Sequence, residues 1–100
     1  MSERKEYYIM YKNKSANGSN NICGQKIKEL RLQLPGSPSQ RKFSEQLQIA
    51  GLDLDKNAIQ RIESGKRFVT DIELKIIAQV LNVSSDTLLD INTSCLPYSN

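Results

Sequence analysis

From Cys23 onward, apolar residues recur at helical spacing and are punctuated by proline, glycine and capping residues. Ile27, Leu30 and Leu34 fall at i, i+3 and i+7. They predict a first helix over 24–34 whose remaining positions, Lys26, Lys28, Glu29 and Arg31, are polar. Pro35-Gly36-Ser37-Pro38 ends it, because proline cannot continue a helix and disfavours helical geometry in the residue before it. Ser39 then caps a second helix over 40–50, with Phe43, Leu47 and Ala50 as its buried face. Gly51 stops that helix, and Leu52 packs the turn. Asp55 caps a third helix over 56–64, whose apolar face is only Ala58, Ile59 and Ile62. Gly65 closes it. Thr70-Asp71-Ile72-Glu73 reads as a capping box opening a fourth helix that runs to Leu81. Ile72, Ile76 and Val80 beside Leu74, Ile77, Ala78 and Leu81 make nearly two apolar stripes, so this helix is expected at the buried centre. Asn82 ends it, and Ser84 caps a short fifth helix over 85–90 bearing Leu88 and Leu89.

Five short helices predict an all-α fold, a compact five-helix bundle over 22–91. Residues 1–21 read instead as a flexible arm and linker, and 92–100 as a polar tail broken by Pro97. Glu6 to Tyr11 has the aromatic and β-branched content of a short strand. The polar run 15–21 has neither period. One hundred residues fit one domain, and 38% hydrophobic against 25% charged residues suits a small globular protein.

Charge changes this picture. The net charge of +3 is unevenly spread: residues 22–70 hold nine Lys/Arg against five Asp/Glu, and residues 71–100 hold one against four. Such asymmetry fits a polyanion partner for the first two thirds, and equally a mixed solvated surface. The third helix sharpens the choice. With so thin an apolar face it is docked lightly and offers Lys56, Asn57, Gln60 and Arg61 outward. These residue types suit base edges: arginine binds guanine O6 and N7 bidentately, and asparagine does the same with adenine N6 and N7. Their spacing puts them on successive turns of one face. On spacing alone, an ordinary solvated helix face has the same composition.

Three stretches, Phe43-Ser-Glu-Gln-Leu47, Asn57-Ala-Ile-Gln-Arg-Ile-Glu-Ser-Gly-Lys-Arg67 and Leu74-Lys-Ile-Ile-Ala-Gln-Val-Leu-Asn-Val83, together resemble the phage repressor/Cro type of helix-turn-helix DNA-binding domain, also called xenobiotic-response-element type regulators. The resemblance covers 22–91. It implies a lambda-repressor-like bundle in which the second and third helices form the helix-turn-helix and the third enters the major groove. Lys56, Asn57 and Arg61 match the family's base-reading positions, with Gln60 beside them. Gln40 matches a phosphate-binding position at a helix N-terminus, flanked by Arg41 and Lys42, and the Gly65-Lys66-Arg67 corner matches a second phosphate clamp. Glu63 reads as structural, paired with a basic residue of the bundle, since an acid facing phosphate would repel it. One departure stands out. Leu47 and Ile59 are twelve positions apart, more than in the usual pattern, so either the second helix is a turn longer or the turn is enlarged.

The resemblance implies a sequence-specific transcriptional regulator of double-stranded DNA, a repressor acting as a homodimer. Leu88, Leu89, Ile91 and Leu96 are the candidate dimer contacts, or else the edge of the core. The alternative is a protein-interaction module on the same scaffold, an antitoxin or anti-repressor with a protein partner. The basic arm (Arg4, Lys5, Lys12, Lys14) suits DNA backbone or minor groove, a disordered tail, or a strand pairing with a second subunit.

No catalytic residue, metal site or cofactor is expected. The chain lacks histidine and tryptophan, and Asp53 and Asp55 have no nucleophile or electrophile beside them. Cys23 and Cys95, far apart and outside any C-x-x-C, read as small hydrophobes of a reduced cytoplasmic protein. The longest N-terminal apolar run, Tyr7 to Tyr11, is too short for a signal or a membrane span, so no membrane association is expected. The short tail leaves no room for a ligand-sensing domain, so regulation is expected through expression level, proteolysis or a partner.

Overall fold

A computed structural model describes residues 18–89. Five helices follow one another, α1 (Gly24–Gln33), α2 (Gln40–Ile49), α3 (Lys56–Glu63), α4 (Asp71–Leu81) and α5 (Ser85–Leu89), and no strand occurs among the described residues. The fold is all-α, with each predicted helix in place and its ends within about a residue or two of expectation. The strand-forming segment 6–11 lies outside the described residues.

Local chemistry sets the helix ends. Ser39 Oγ accepts from the Lys42 N–H at 3.1 Å, and Asp55 Oδ1 accepts from the Ala58 N–H at 2.8 Å. At α4 the box is complete: Thr70 Oγ1 accepts from the Glu73 N–H, and Glu73 Oε1 accepts from the Thr70 N–H. Three helices stop alike, with a left-handed residue just past the end, at Gly51 (φ 98°), Gly65 (φ 82°) and Asn82 (φ 60°). In each the following N–H reaches back five residues: Leu52 to the Leu47 carbonyl, Lys66 to Arg61, and Val83 to Ala78.

This stop resolves the long spacing between Leu47 and Ile59. Helix α2 ends at Ile49, and the additional residues enlarge the turn. Leu52 and Leu54 are buried in that turn, so it is pinned by its own apolar side chains.

The core joins Ile27, Phe43, Leu47, Ile59, Ile62, Ile77, Leu81 and Leu88 from all five helices, with Cys23 and Ala78 filling small spaces. Helix α3 packs against α1 and α2, and α4 packs against α1, α2 and α5. Three expectations need correction. Ala50 is exposed, because the chain has already turned into the cap of α2 there, and Ser44 takes the buried place instead. Ile72 is 67% exposed. Helix α4 is therefore buried through Ile77, Ala78 and Leu81, while its other stripe lies along the rim rather than at the centre. Arg31, expected on the polar side of α1, is buried.

Candidate nucleic-acid interface

Helix α3 has two unlike faces. Ile59 and Ile62 are sealed in the core, with Ala58 partly covered. Lys56, Asn57, Gln60 and Arg61 are exposed on the other side, and among the described residues their side chains form no hydrogen bond or ion pair. Eight residues make a helix about 12 Å long. Its outer face thus carries two cations and two amides whose donors and acceptors are open to a ligand.

The other predicted contacts fall into two groups. Arg41 and Lys42, in the first turn of α2, are exposed, as is Lys66 after α3, and among the described residues their side chains are unengaged. Gln40 and Arg67 are already engaged. Gln40 Nε2 donates to Glu63 Oε1 at 2.9 Å, and Arg67 makes a two-pronged pair with Glu73, both contacts 2.9 Å. Arg67 also donates to the Phe68 carbonyl at 2.9 Å. Its guanidinium therefore serves the start of α4, which leaves Lys66, among the described residues, as the unpaired cation of that corner. The pairing holds the Glu73 carboxyl below its usual range, chiefly through the bond from Arg67 and further through the Thr70 N–H, and it raises Arg67 in turn.

Beneath these side chains lies a buried polar cluster. Arg31 Nε donates to Glu63 Oε2 at 2.8 Å, and a second guanidinium nitrogen reaches Glu63 Oε1 at 3.1 Å. The third nitrogen donates to the Pro38 carbonyl at 2.7 Å. Gln40 completes the set, so Glu63 ties the end of α3 to α1 and to the start of α2. This is the basic bundle partner expected for Glu63. Among the described residues no buried side-chain nitrogen or oxygen is left without a partner.

Sequence reasoning missed a second tie. The run 15–21 reads as a linker, yet Asn20 and Asn21 are hydrogen-bonded to the corner after α3. Asparagine at a turn is the one signal for this, because its amide mimics backbone. Where these segments meet, the backbones approach closely: a Cβ at Gly24 would collide with the Ile62 carbonyl.

Among the other candidates, Leu88 is fully buried, so it belongs to the core and not to a subunit contact. Leu89 is 44% exposed. Ile91, Leu96, Cys95 and the basic residues of the arm lie outside the described residues. Cys23 is buried as expected, and burial pushes its thiol up, away from the reactive thiolate. No group of three His, Cys, Asp or Glu able to hold a metal occurs among the described residues, and no helix there is long and apolar enough to cross a membrane. No family model, curated protein or solved structure matches the chain.

Proposed function

We propose that this chain is a sequence-specific regulator of the phage repressor/Cro type. It binds double-stranded DNA through a helix-turn-helix formed by α2 and α3 and represses transcription as a cytoplasmic homodimer. The observation that carries this reading is the outer face of α3, where Lys56, Asn57, Gln60 and Arg61 stand exposed and, among the described residues, unengaged, opposite the buried Ile59 and Ile62. Lys56, Asn57, Gln60 and Arg61 read base edges, while Arg41, Lys42 and Lys66 neutralise phosphates. Gln40 contacts phosphate with the part of its amide that Glu63 leaves open, and Arg67 lends charge to its corner while paired. The dimer forms through the acidic C-terminal region, away from DNA, and of its candidate contacts Leu89 is exposed among the described residues.

The test is duplex binding by fluorescence anisotropy at about 50 and 200 mM salt. One probe is the DNA upstream of the protein's own coding sequence, and the other is a scrambled duplex of equal length. Preference for the upstream DNA that persists at the higher salt supports sequence reading. Equal binding to both, vanishing with salt, leaves polyanion attraction alone and contradicts it.

A second reading, a protein-neutralising antitoxin or anti-repressor, draws on exposed apolar side chains. Phe68 is 52% exposed and flanks the start of α4 together with the exposed Ile72. A chain of that kind fails the duplex test and yields to a search for its protein partner.

A further inference from the structure

Ser19, Asn20 and Asn21 cross the end of α3. The Asn20 backbone N–H donates to the Gly65 carbonyl at 2.8 Å, and its side-chain amide donates to the Lys66 carbonyl at 3.0 Å. The Asn21 amide nitrogen serves two carbonyls, Arg67 at 2.7 Å and Ile62 at 3.0 Å, while its Oδ1 accepts from the Gly24 N–H at 2.8 Å. Two asparagines thereby cover the carbonyls of three successive corner residues and one in the last turn of α3, and they fasten the same corner to the start of α1. On the other side of the corner, the Lys66 and Arg67 N–H groups both donate to the Arg61 carbonyl, at 2.8 and 3.2 Å. Gly65, at φ 82°, has Ser19 against it, and an added Cβ would stand 2.8 Å from Ser19 Oγ.

The electrostatic consequence is local. A helix C-terminus gathers partial negative charge on its last carbonyls, which opposes phosphate binding beside it. Here the Ile62 carbonyl accepts from the Asn21 amide and the Arg61 carbonyl from two backbone N–H groups, and the Lys66 side chain at the same place is unpaired among the described residues. The backbone that carries Lys66 is held from both sides, so its side chain starts from a fixed root.

We propose that Asn20 and Asn21 are positioning residues of the nucleic-acid interface: they set the Gly65–Lys66–Arg67 corner so that Lys66 meets a DNA phosphate. The proposal rests on the reading of α3 given above.

The test uses the full chain with Asn21→Ser, which keeps an oxygen acceptor toward Gly24 but loses both donated bonds, and Asn20→Ala, which loses the bond to Lys66. Neither changes the charge. Each is paired with Lys66→Ala in a double-mutant cycle on the preferred and scrambled duplexes. The expected result is a fall of about five- to tenfold in affinity for both duplexes, with the salt slope reduced by about one. In the Lys66→Ala background the asparagine substitutions have no further effect. If Asn21→Ser does not fold, as judged by its melting curve, Asn20→Ala alone carries the test. Unchanged affinity and slope, or effects that add to those of Lys66→Ala, overturn the positioning role while leaving α3 as the reading helix. A parent chain that binds neither duplex overturns the reading of α3 and this inference with it.

Discussion

Arg31 in α1 and Glu63 at the end of α3 form a two-pronged ion pair 32 residues apart in sequence, with side chains only 6% and 3% exposed. Burying two charges is unfavourable in itself. The pair is tolerable because neighbouring groups add bonds to it: Pro38 accepts from Arg31, and Gln40 donates to Glu63, so that among the described residues no buried side-chain nitrogen or oxygen lacks a partner. Glu63 belongs to the helix that bears the candidate reading face, so the pair fixes the roll of α3 over the bundle.

Removing one partner leaves the other charged and buried. Arg31→Met alone is expected to cost about 3–5 kcal/mol, a large part of the roughly 5–15 kcal/mol available to a small domain. Arg31→Met with Glu63→Leu recovers part of that loss, since it removes both buried charges but takes these partners from the Pro38 carbonyl and the Gln40 amide. Urea denaturation of the two variants and the parent checks both statements. A single variant within about 1 kcal/mol of the parent contradicts the first.

Acid stability should depend on Glu73. Its carboxyl is held below the ordinary 4.5 by Arg67 and Thr70, so the unfolded chain binds the proton more readily than the folded one. The stabilisation is complete above that ordinary value and is lost as the pH falls through it toward the lower folded value. Glu73→Gln is therefore expected to lower stability at neutral pH and to flatten its decline in acid. Denaturation midpoints at about pH 7 and pH 3.5 measure this difference. An equally steep decline in the variant contradicts the assignment.

At Asn82 the backbone sits at φ 60°, a conformation that costs most residues about 1–2 kcal/mol and glycine almost nothing. Asn82→Ala is expected to lower the melting temperature by several degrees, and Asn82→Gly to hold or raise it. Thermal unfolding followed by circular dichroism separates the two. The opposite order would mean that the Asn82 side chain, and not its backbone conformation, sustains the stop.

Much of the fold was legible because its signals are local. Ser39, Asp55 and Thr70 each act within three residues of themselves, Gly51 and Gly65 end the helices they follow, and Ile27, Phe43, Leu47, Ile59 and Ile62 recur on faces that are buried. What escaped depends on distant partners. Arg31 looks like any solvated cation on α1 until Glu63 is brought beneath it, and nothing near Arg31 in sequence announces that. Asn20 and Asn21 have no periodicity, and their bonds span more than forty residues. Ile72 failed in the reverse way: it keeps the helical period, but exposure depends on what packs opposite. The face of α3 was readable as a composition, and the structure adds that its side chains are unengaged among the described residues, while Arg67, read from sequence as part of a phosphate clamp with Lys66, is paired to Glu73.

The most direct test of the reading of α3 contrasts Arg61→Ala with Lys66→Ala on the preferred duplex, on duplexes varied one base pair at a time, and across salt. Arg61→Ala is expected to cost about 1–3 kcal/mol and to relax preference at one base position. Lys66→Ala is expected to weaken all duplexes alike and to reduce the salt slope by about one. Equal, sequence-independent losses from both substitutions would contradict a base-reading role for α3.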